Sequence, residues 1–330
     1  MPTERQWNAA RARARMNAAL RSFFAARGYL EVETPALVPA PGQEPHITPF
    51  TVPFTPETDR GHAKTLYLHT SPEYAMKRLL AQPGCPPLFS LCKVFRNGEV
   101  SQTHNPEFTL LEFYRPNADY HALMDDTEAL MLALQEALSV KRPFVAPFER
   151  LPVKDAVRRY SGVDLDACRD AASLRAAAEG AGVRVGGGDS WDDVFFHLFL
   201  QKVEPKLGVD RPTFLIEYPA AMASLSRLKP GDPSVAERVE LFAGGFELAN
   251  GFSELTDGAE QRKRLEEEQA LRKREGRLVP PLDERFLAAV GKMPEATGIA
   301  IGIDRVLMLL LGEEQIADVL LFPAHEFIDD

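Results

Sequence analysis

Cysteine is scarce in this chain: Cys85, Cys92 and Cys168 are the whole set among 330 residues. An odd number without CxxC spacing argues against a disulfide framework or a zinc site, and it fits the reducing cytoplasm. No run of 18 apolar residues occurs, so no transmembrane helix is expected. Basic charge is also in deficit. Lys and Arg number 38 against 48 Asp and Glu, a formal charge of −10. That balance argues against a broad surface for a phosphate backbone, though not against one local anion site. Repeats and low-complexity tracts are missing. So are a GxxxxGKS/T loop and a GxGxxG turn, which leaves neither a P-loop nor a Rossmann site to argue from.

What is present is a series of strands and helices without regular crossovers. Met16, Leu20, Phe23 and Phe24 fall on one face of a helix, Gly28 stops it, and residues 29–35 read as a strand closed by Pro35. The six arginines over 5–27, with no acid, also match a mitochondrial presequence, but direct entry into a strand favours a folded helix. Further strands are predicted over 65–70, 88–95, 107–114, 212–218, 235–242, 246–252 and 298–303. Ser71-Pro-Glu73 opens a helix with Ser71 at its N-cap. Helices are predicted over 119–138, 191–206, 256–277 and 304–311, the last with Asp304 as N-cap. In the 256–277 helix, Arg264–Glu268 and Glu268–Arg272 stand at i, i+4, which predicts a solvated, charge-paired element. About 142–189 reads as a peripheral or inserted region of one domain spanning 1–330. Together these elements predict an α+β fold, a mostly antiparallel sheet flanked by helices.

Three segments carry chemistry. In the first, Arg96 ends a strand beside a polar loop, where it can hold a phosphate, with Phe108 as a flat face and Asn105 as donor and acceptor. The same residues also suit a hairpin with a solvated loop. In the second, Glu240, Glu247 and Glu254 recur every seven residues on apolar strands, with Asn250 between the last two. Buried carboxylates need partners, so Mg²⁺ with a nucleotide, or an ammonium group, fits them; solvent-facing positions are the alternative. In the third, Gly298, Ala300 and Gly302 alternate with isoleucines, which smooths one strand face for a flat ligand or for close packing. Arg305 then enters the next helix at its positive end.

In order, these segments resemble the three signature motifs of class II aminoacyl-tRNA synthetases: the stretch ending at Pro35, the Phe95-Arg96 hairpin, and Gly302-Ile-Asp-Arg305. The wording is most similar to lysyl-tRNA synthetases in His104-Asn-Pro-Glu-Phe108, Glu247-Leu-Ala-Asn-Gly251 and Ser253-Glu-Leu-Thr-Asp257. Two features resemble instead the family of elongation factor P–(R)-β-lysine ligases. The first motif begins close to Met1, without room for an anticodon-binding domain, and Ala300 stands where the synthetases usually carry glycine. Thr70-Ser-Pro-Glu-Tyr74 and Leu111-Glu-Phe-Tyr-Arg-Pro116 look like that family too.

The resemblance implies an ATP-dependent ligase that adenylates (R)-β-lysine or lysine and passes it to a lysine of elongation factor P. It implies Arg96 on the α-phosphate and carboxylate, Arg305 on the γ-phosphate and adenine, and Phe108 stacked on the adenine. Asn97, Glu99, Asn105, Glu247, Leu248 and Gly302 complete the ATP site. Glu240 and Glu247 hold Mg²⁺. Glu254 and Tyr114 take the substrate's side-chain amine, Ser71 and Glu73 its other end, with Asn250 and Ala300 lining the pocket. Where the family commonly reads Arg-Asn-Glu, this chain reads Arg96-Asn97-Gly98-Glu99, so the adenine contact falls to Glu99 or to a backbone carbonyl. A homodimer built on the Met16/Leu20/Phe23/Phe24 face is expected, with no tRNA anticodon contact and no membrane. A lysyl-tRNA synthetase paralogue acting on tRNA or making diadenosine polyphosphates, and a non-catalytic regulatory paralogue, are the competing readings.

Overall fold

A computed structural model describes residues 1–59 and 61–328. Thr3 caps α1 (Glu4–Ala25): its hydroxyl accepts from the Gln6 N–H, and the Gln6 side chain accepts from the Thr3 N–H. Gly28, at φ +75°, turns the chain out of the helix into β1 (Leu30–Glu31). The strand expected over 29–35 is thus shorter than predicted. β2 (Leu37–Val38), β3 (Thr51–Phe54) and β4 (Lys64–Leu68) form a small separate sheet. α2 (Glu73–Leu80) follows, then the hairpin of β5 (Leu88–Phe95) and β6 (Glu107–Pro116). Asp119 caps α3 (Tyr120–Ala137). Next come β7 (Glu149–Pro152), α4 (Val153–Ser161), α5 (Ala171–Gly180) and α6 (Trp191–Leu198). The helix expected over 191–206 breaks into a π turn and a 3-10 turn after Leu198, approaching Pro205, which has no N–H to continue it. β8 (Thr213–Pro219), β9 (Leu228–Lys229), β10 (Asp232–Ala243) and β11 (Phe246–Ser253) lead to α7 (Gly258–Arg274) and α8 (Glu284–Val290). β12 (Ala296–Gly302), α9 (Ile303–Leu311) and α10 (His325–Ile328) complete the described chain.

Among the described residues nine strands form the main sheet in the order β1-β5-β6-β12-β11-β10-β8-β7, with β9 on β10. The inner pairings are antiparallel and the outer pairs β1·β5 and β7·β8 are parallel, in keeping with the α+β expectation. Alternation sorts the two faces. Phe89, Leu111, Phe113, Ile299, Ile301, Ala249, Val239 and Leu241 point to one side and make a core with α1, α3 and α9. Their neighbours Ser90, Glu112, Ala300, Asn250 and Glu240 point to the other. These five lie directly opposite one another across β5, β6, β12, β11 and β10, a single transverse row of the sheet.

The stripe on α1 is spent inside the protomer. Met16, Leu20 and Phe24 are fully buried, and Phe24 stacks on Phe89 with centroids 4.6 Å apart. Such burial stabilises by about 2 kcal/mol per side chain. The expected two-fold interface on this face is therefore corrected. Within the 142–189 stretch, β7 belongs to the main sheet, while α4 and α5, joined by α6 just beyond it, pack Val157, Leu174 and Phe195 into an apolar cluster that also takes in Leu215 and Phe242 of the sheet.

The solvated, charge-paired reading of the 256–277 helix holds on its outer face, where Arg262–Glu266, Lys263–Glu267 and Arg264–Glu260 stand at i, i+4, but it fails at Arg272. Arg272 is completely buried, and its guanidinium donates to the carbonyls of Gln43, Glu44, Ile47 and Leu278. Arg264 pairs with Glu260 at 2.8 Å rather than with Glu268. One arginine thereby pins the loop whose Thr48 carbonyl accepts from the Asn97 N–H at 2.8 Å. Arg272→Met leaves buried carbonyls without donors, and urea unfolding should show a loss of about 3–5 kcal/mol. A loss below about 1 kcal/mol, the size of a surface change, would count against this anchoring.

Candidate active site

The transverse row and its flanks bring most of the expected residues together. At one end, Arg96 follows β5, with its guanidinium carbon 5.0 Å from the centre of the Phe108 ring. Its Nη1 stands 3.7 Å from Glu99, and its buried Nε has no hydrogen-bond partner among the described residues. Arg96 is thus placed by the hairpin and only loosely held by other side chains. Asn97 is exposed.

Arg305 is held more fully. Its Nη1 donates to the Glu247 carbonyl at 2.9 Å, its Nε to the Thr103 carbonyl at 3.3 Å, and its Nη2 to His104 Nε2 at 2.6 Å. A guanidinium only donates, so Nδ1 of His104 carries the proton and reaches Ser101 Oγ at 2.8 Å. Burial first, and Arg305 second, lower the His104 pKa, which agrees with a neutral ring. Asp304 is not the N-cap: α9 begins at Ile303 behind Gly302. Instead its carboxylate accepts from the Thr109 N–H at 2.7 Å and pairs with Arg13, locking α9 to β6 and α1. Asn105 departs from its expected part as well. Its amide donates to the Glu107 carbonyl and accepts from the Ala324 N–H, so it holds backbone rather than standing free for a base.

Glu240 and Glu247 share a face only because of a bulge. Leu241 opposes Ala249, yet Phe242 opposes Glu247, so Leu248 drops to the core side and Glu247 turns to the side of Glu240. Glu240 accepts from Tyr218 Oη at 2.5 Å and from Arg238 at 2.6 Å. Burial, then the charge of Glu240, pushes Glu247 up to about 7 against the pull of Arg305. Among the described residues no cluster of three or more side-chain metal ligands forms. Two mutually repelling carboxylates fit a divalent ion whose remaining ligands come from phosphate oxygens and water.

At the other end lies an amine pocket. Ser71 Oγ accepts from the Glu73 N–H at 2.9 Å, which serves an otherwise unpaired amide of the first turn of α2 as expected, and it donates to Glu112 at 2.5 Å. Tyr114 Oη donates to the other Glu112 oxygen at 3.0 Å. Lys77, buried on α2, pairs with Glu73 and Glu254 at 2.6 Å each. The two sets of residues expected at opposite ends of a substrate thus meet through Glu112 and Lys77. Burial pushes Glu112 and Glu254 up to about 8; Glu73 adds to this in both, Lys77 opposes it in both, and the hydroxyls of Ser71 and Tyr114 oppose it at Glu112. Glu254 Oε1 and Asn250 Oδ1 are buried without hydrogen-bond partners among the described residues. Ala300 sits between Glu112 and Asn250 in register, its methyl on the pocket side. A neighbouring cavity of about 260 Å³ opens on the other side of Ser71 and Glu73, toward Ala40, Glu44 and Tyr74, and is not lined by Glu112, Tyr114, Lys77 or Glu254.

Sequence reasoning missed Lys77, Glu112, Arg238 and Tyr218. It also missed Glu44, whose buried Oε2 has no partner among the described residues and whose pKa rises through burial and the nearby Glu73. The signal for Glu112 was available: a carboxylate set between Leu111 and Phe113 on a strand must face away from their core.

This arrangement, an antiparallel sheet carrying an arginine hairpin, a paired-carboxylate strand and a small-residue strand leading to an arginine helix, is that of a class II synthetase catalytic domain. Residues 1–326 match the family of class II tRNA synthetases for D, K and N, and the chain belongs to it. Among curated proteins it is 43% identical over 315 residues to the elongation factor P–(R)-β-lysine ligase of Klebsiella pneumoniae subsp. pneumoniae, covering 94% of this chain and 93% of the relative. The ligase of the same name from Erwinia tasmaniensis is 43% identical over 314 residues, with the same coverage. That of Salmonella enteritidis is 42% identical over 315 residues, again covering 94% and 93%. Among the described residues no helix is long and apolar enough to cross a membrane.

Proposed function

We propose that the chain is a cytoplasmic ligase that adenylates (R)-β-lysine with ATP and transfers the β-lysyl group to a lysine of elongation factor P. The observation that carries this reading is the buried amine pocket of Glu73, Glu112 and Glu254 on the same sheet face as Arg96 and Arg305. A substrate with two ammonium groups fits it, and its carboxylate then points toward the arginines.

In the first half-reaction the substrate carboxylate attacks the α-phosphorus of ATP and releases pyrophosphate. The nucleophile is already ionised, so positioning and charge stabilisation are the whole task. Arg96 binds the α-phosphate together with the carboxylate. Phe108 stacks on the adenine. Arg305, oriented by His104 and two carbonyls, covers the adenine's other face and reaches the γ-phosphate. Glu240 and Glu247 would hold Mg²⁺, which supplies charge neutralisation on the phosphates. In the second half-reaction the amine of the acceptor lysine displaces AMP. The homodimer implied by the resemblance would rest on the exposed Leu30 and Leu37, not on the buried stripe of α1.

ATP–pyrophosphate exchange with lysine and (R)-β-lysine side by side, followed by mass analysis of elongation factor P, tests the reading. Exchange with neither diamino acid would overturn it; charging of tRNA instead would favour the synthetase paralogue. The methyl of Ala300 narrows the pocket beside Glu112, where an α-ammonium and a β-ammonium differ in position. Ala300→Gly should therefore raise kcat/KM for α-lysine by about tenfold to a hundredfold and change that for (R)-β-lysine less. An unchanged preference would sink the steric account.

A further inference from the structure

We infer that Lys77 is a positioning residue for amino-acid recognition: its buried ammonium holds Glu73 and Glu254 together and leaves the pocket a charge deficit that the substrate's two ammonium groups fill. The inference rests on the reading above, that the substrate is a diamino acid, and goes beyond it in naming what sets the pocket's charge.

Lys77 is 1% exposed and cannot itself reach solvent or leave α2. Its Nζ stands 2.6 Å from Glu73 on its own helix and 2.6 Å from Glu254 just past the end of β11. The third carboxylate, Glu112 on β6, faces the same space, with Ser71 and Tyr114 as neutral partners. Outside this group, Glu44 from the loop after β2 and Glu268 from α7 approach Glu73, and Arg272 offsets them. Three carboxylates thus face one fixed ammonium, a formal deficit of two.

In the empty pocket that deficit is relieved by protons. Burial first, with the charge of Glu73 adding to it, raises Glu112 and Glu254 to about 8 against the pull of Lys77, so protons are shared among these carboxylates at pH 7. Burial alone would pull the Lys77 ammonium down, but its two carboxylates more than reverse this and keep it charged. A diammonium substrate requires the carboxylates ionised, so binding expels protons. KM for the amino acid should therefore fall as pH rises through about 8. Without Lys77, Glu254 loses its cation, its pKa climbs further, and the same fall moves to higher pH.

The experiment is Lys77→Met, with thermal unfolding as the fold control and Lys77→Arg as the conservative variant. At pH 7.5 the KM for (R)-β-lysine should rise about 30-fold or more, while the KM for ATP moves less than about twofold. The pH at which kcat/KM for the amino acid levels off should shift upward by about one unit or more, and Lys77→Arg should recover part of both losses. An unchanged KM, or a rise equal at every pH, would overturn the inference. Should Lys77→Met fail to fold, calorimetry of (R)-β-lysine binding to the wild-type protein at pH 7, in buffers of different ionisation heat, decides. Between about one and two protons released supports the deficit, and none released overturns it. Wild-type exchange with no diamino acid would instead overturn the functional reading itself.

Discussion

Arg96→Ala should lower ATP–pyrophosphate exchange about a thousandfold while the protein unfolds at nearly the wild-type temperature. The fold has little to lose. Arg96 sits past the end of β5, its nearest ionic partner, Glu99, is 3.7 Å away, and its buried Nε has no partner among the described residues. A guanidinium poised over Phe108 with unfilled donors is prepared for a ligand, not spent on the scaffold. Negative charge builds on the α-phosphate as the carboxylate attacks, so the contact strengthens in the transition state and its loss should fall mainly on kcat. Arg96→Lys keeps the charge but loses the two-pronged geometry and should recover only a small part. Arg305 is a poorer probe, because its three contacts to Glu247, Thr103 and His104 make any replacement a change of loop structure as well. Near-normal exchange in Arg96→Ala would remove this residue from the chemistry.

Alternation made much of the sheet readable in advance. The isoleucines at 299 and 301 do face the core, and Gly298, Ala300 and Gly302 do form the smooth side. The resemblance located Glu240 and Glu247, but the bulge that turns Glu247 to the site face leaves no mark in the pattern of apolar residues. Lys77 and Arg272 stayed hidden for a different reason. Glu73 and Lys77 stand four apart on a helix, as solvated pairs commonly do, and α7 is charged on every side. What buries them is distant in sequence: Glu254 closes on Lys77, and the loop at 43–47, more than two hundred positions away, lies over Arg272. Helix periodicity describes a helix alone and carries nothing about a chain laid over its polar side. The α1 stripe misled in the opposite direction. Its apolar face was correctly located, but a stripe does not say whether its partner is the same protomer or another.

Gly298→Ala should raise the KM for the amino acid about a hundredfold and leave the KM for ATP nearly unchanged. A methyl at this position would lie 2.2 Å and 2.3 Å from two carbons of the Tyr114 ring and 2.7 Å from Glu254 Oε1. Neither neighbour can simply withdraw. Tyr114 is 3% exposed, is packed with Met76, Leu80 and Leu88, and is tied by its hydroxyl to Glu112. Glu254 is paired to Lys77. The backbone is fixed as well, because Gly298 pairs with Tyr114 on one side and Phe252 on the other. The added carbon must therefore displace the two side chains expected to hold the substrate amine, at a cost in stability of about 1–3 kcal/mol. Gly251→Ala is the control. Its methyl would meet the Gly298 carbonyl at 2.7 Å and Ile299 Cβ at 2.8 Å, a backbone and core clash away from the carboxylates. It should cost comparable stability and leave the KM for (R)-β-lysine close to wild type. If both glycine variants weaken substrate binding equally, the effect of Gly298→Ala is general loosening of the sheet, and the close approach of Tyr114 and Glu254 over Gly298 does not shape the pocket.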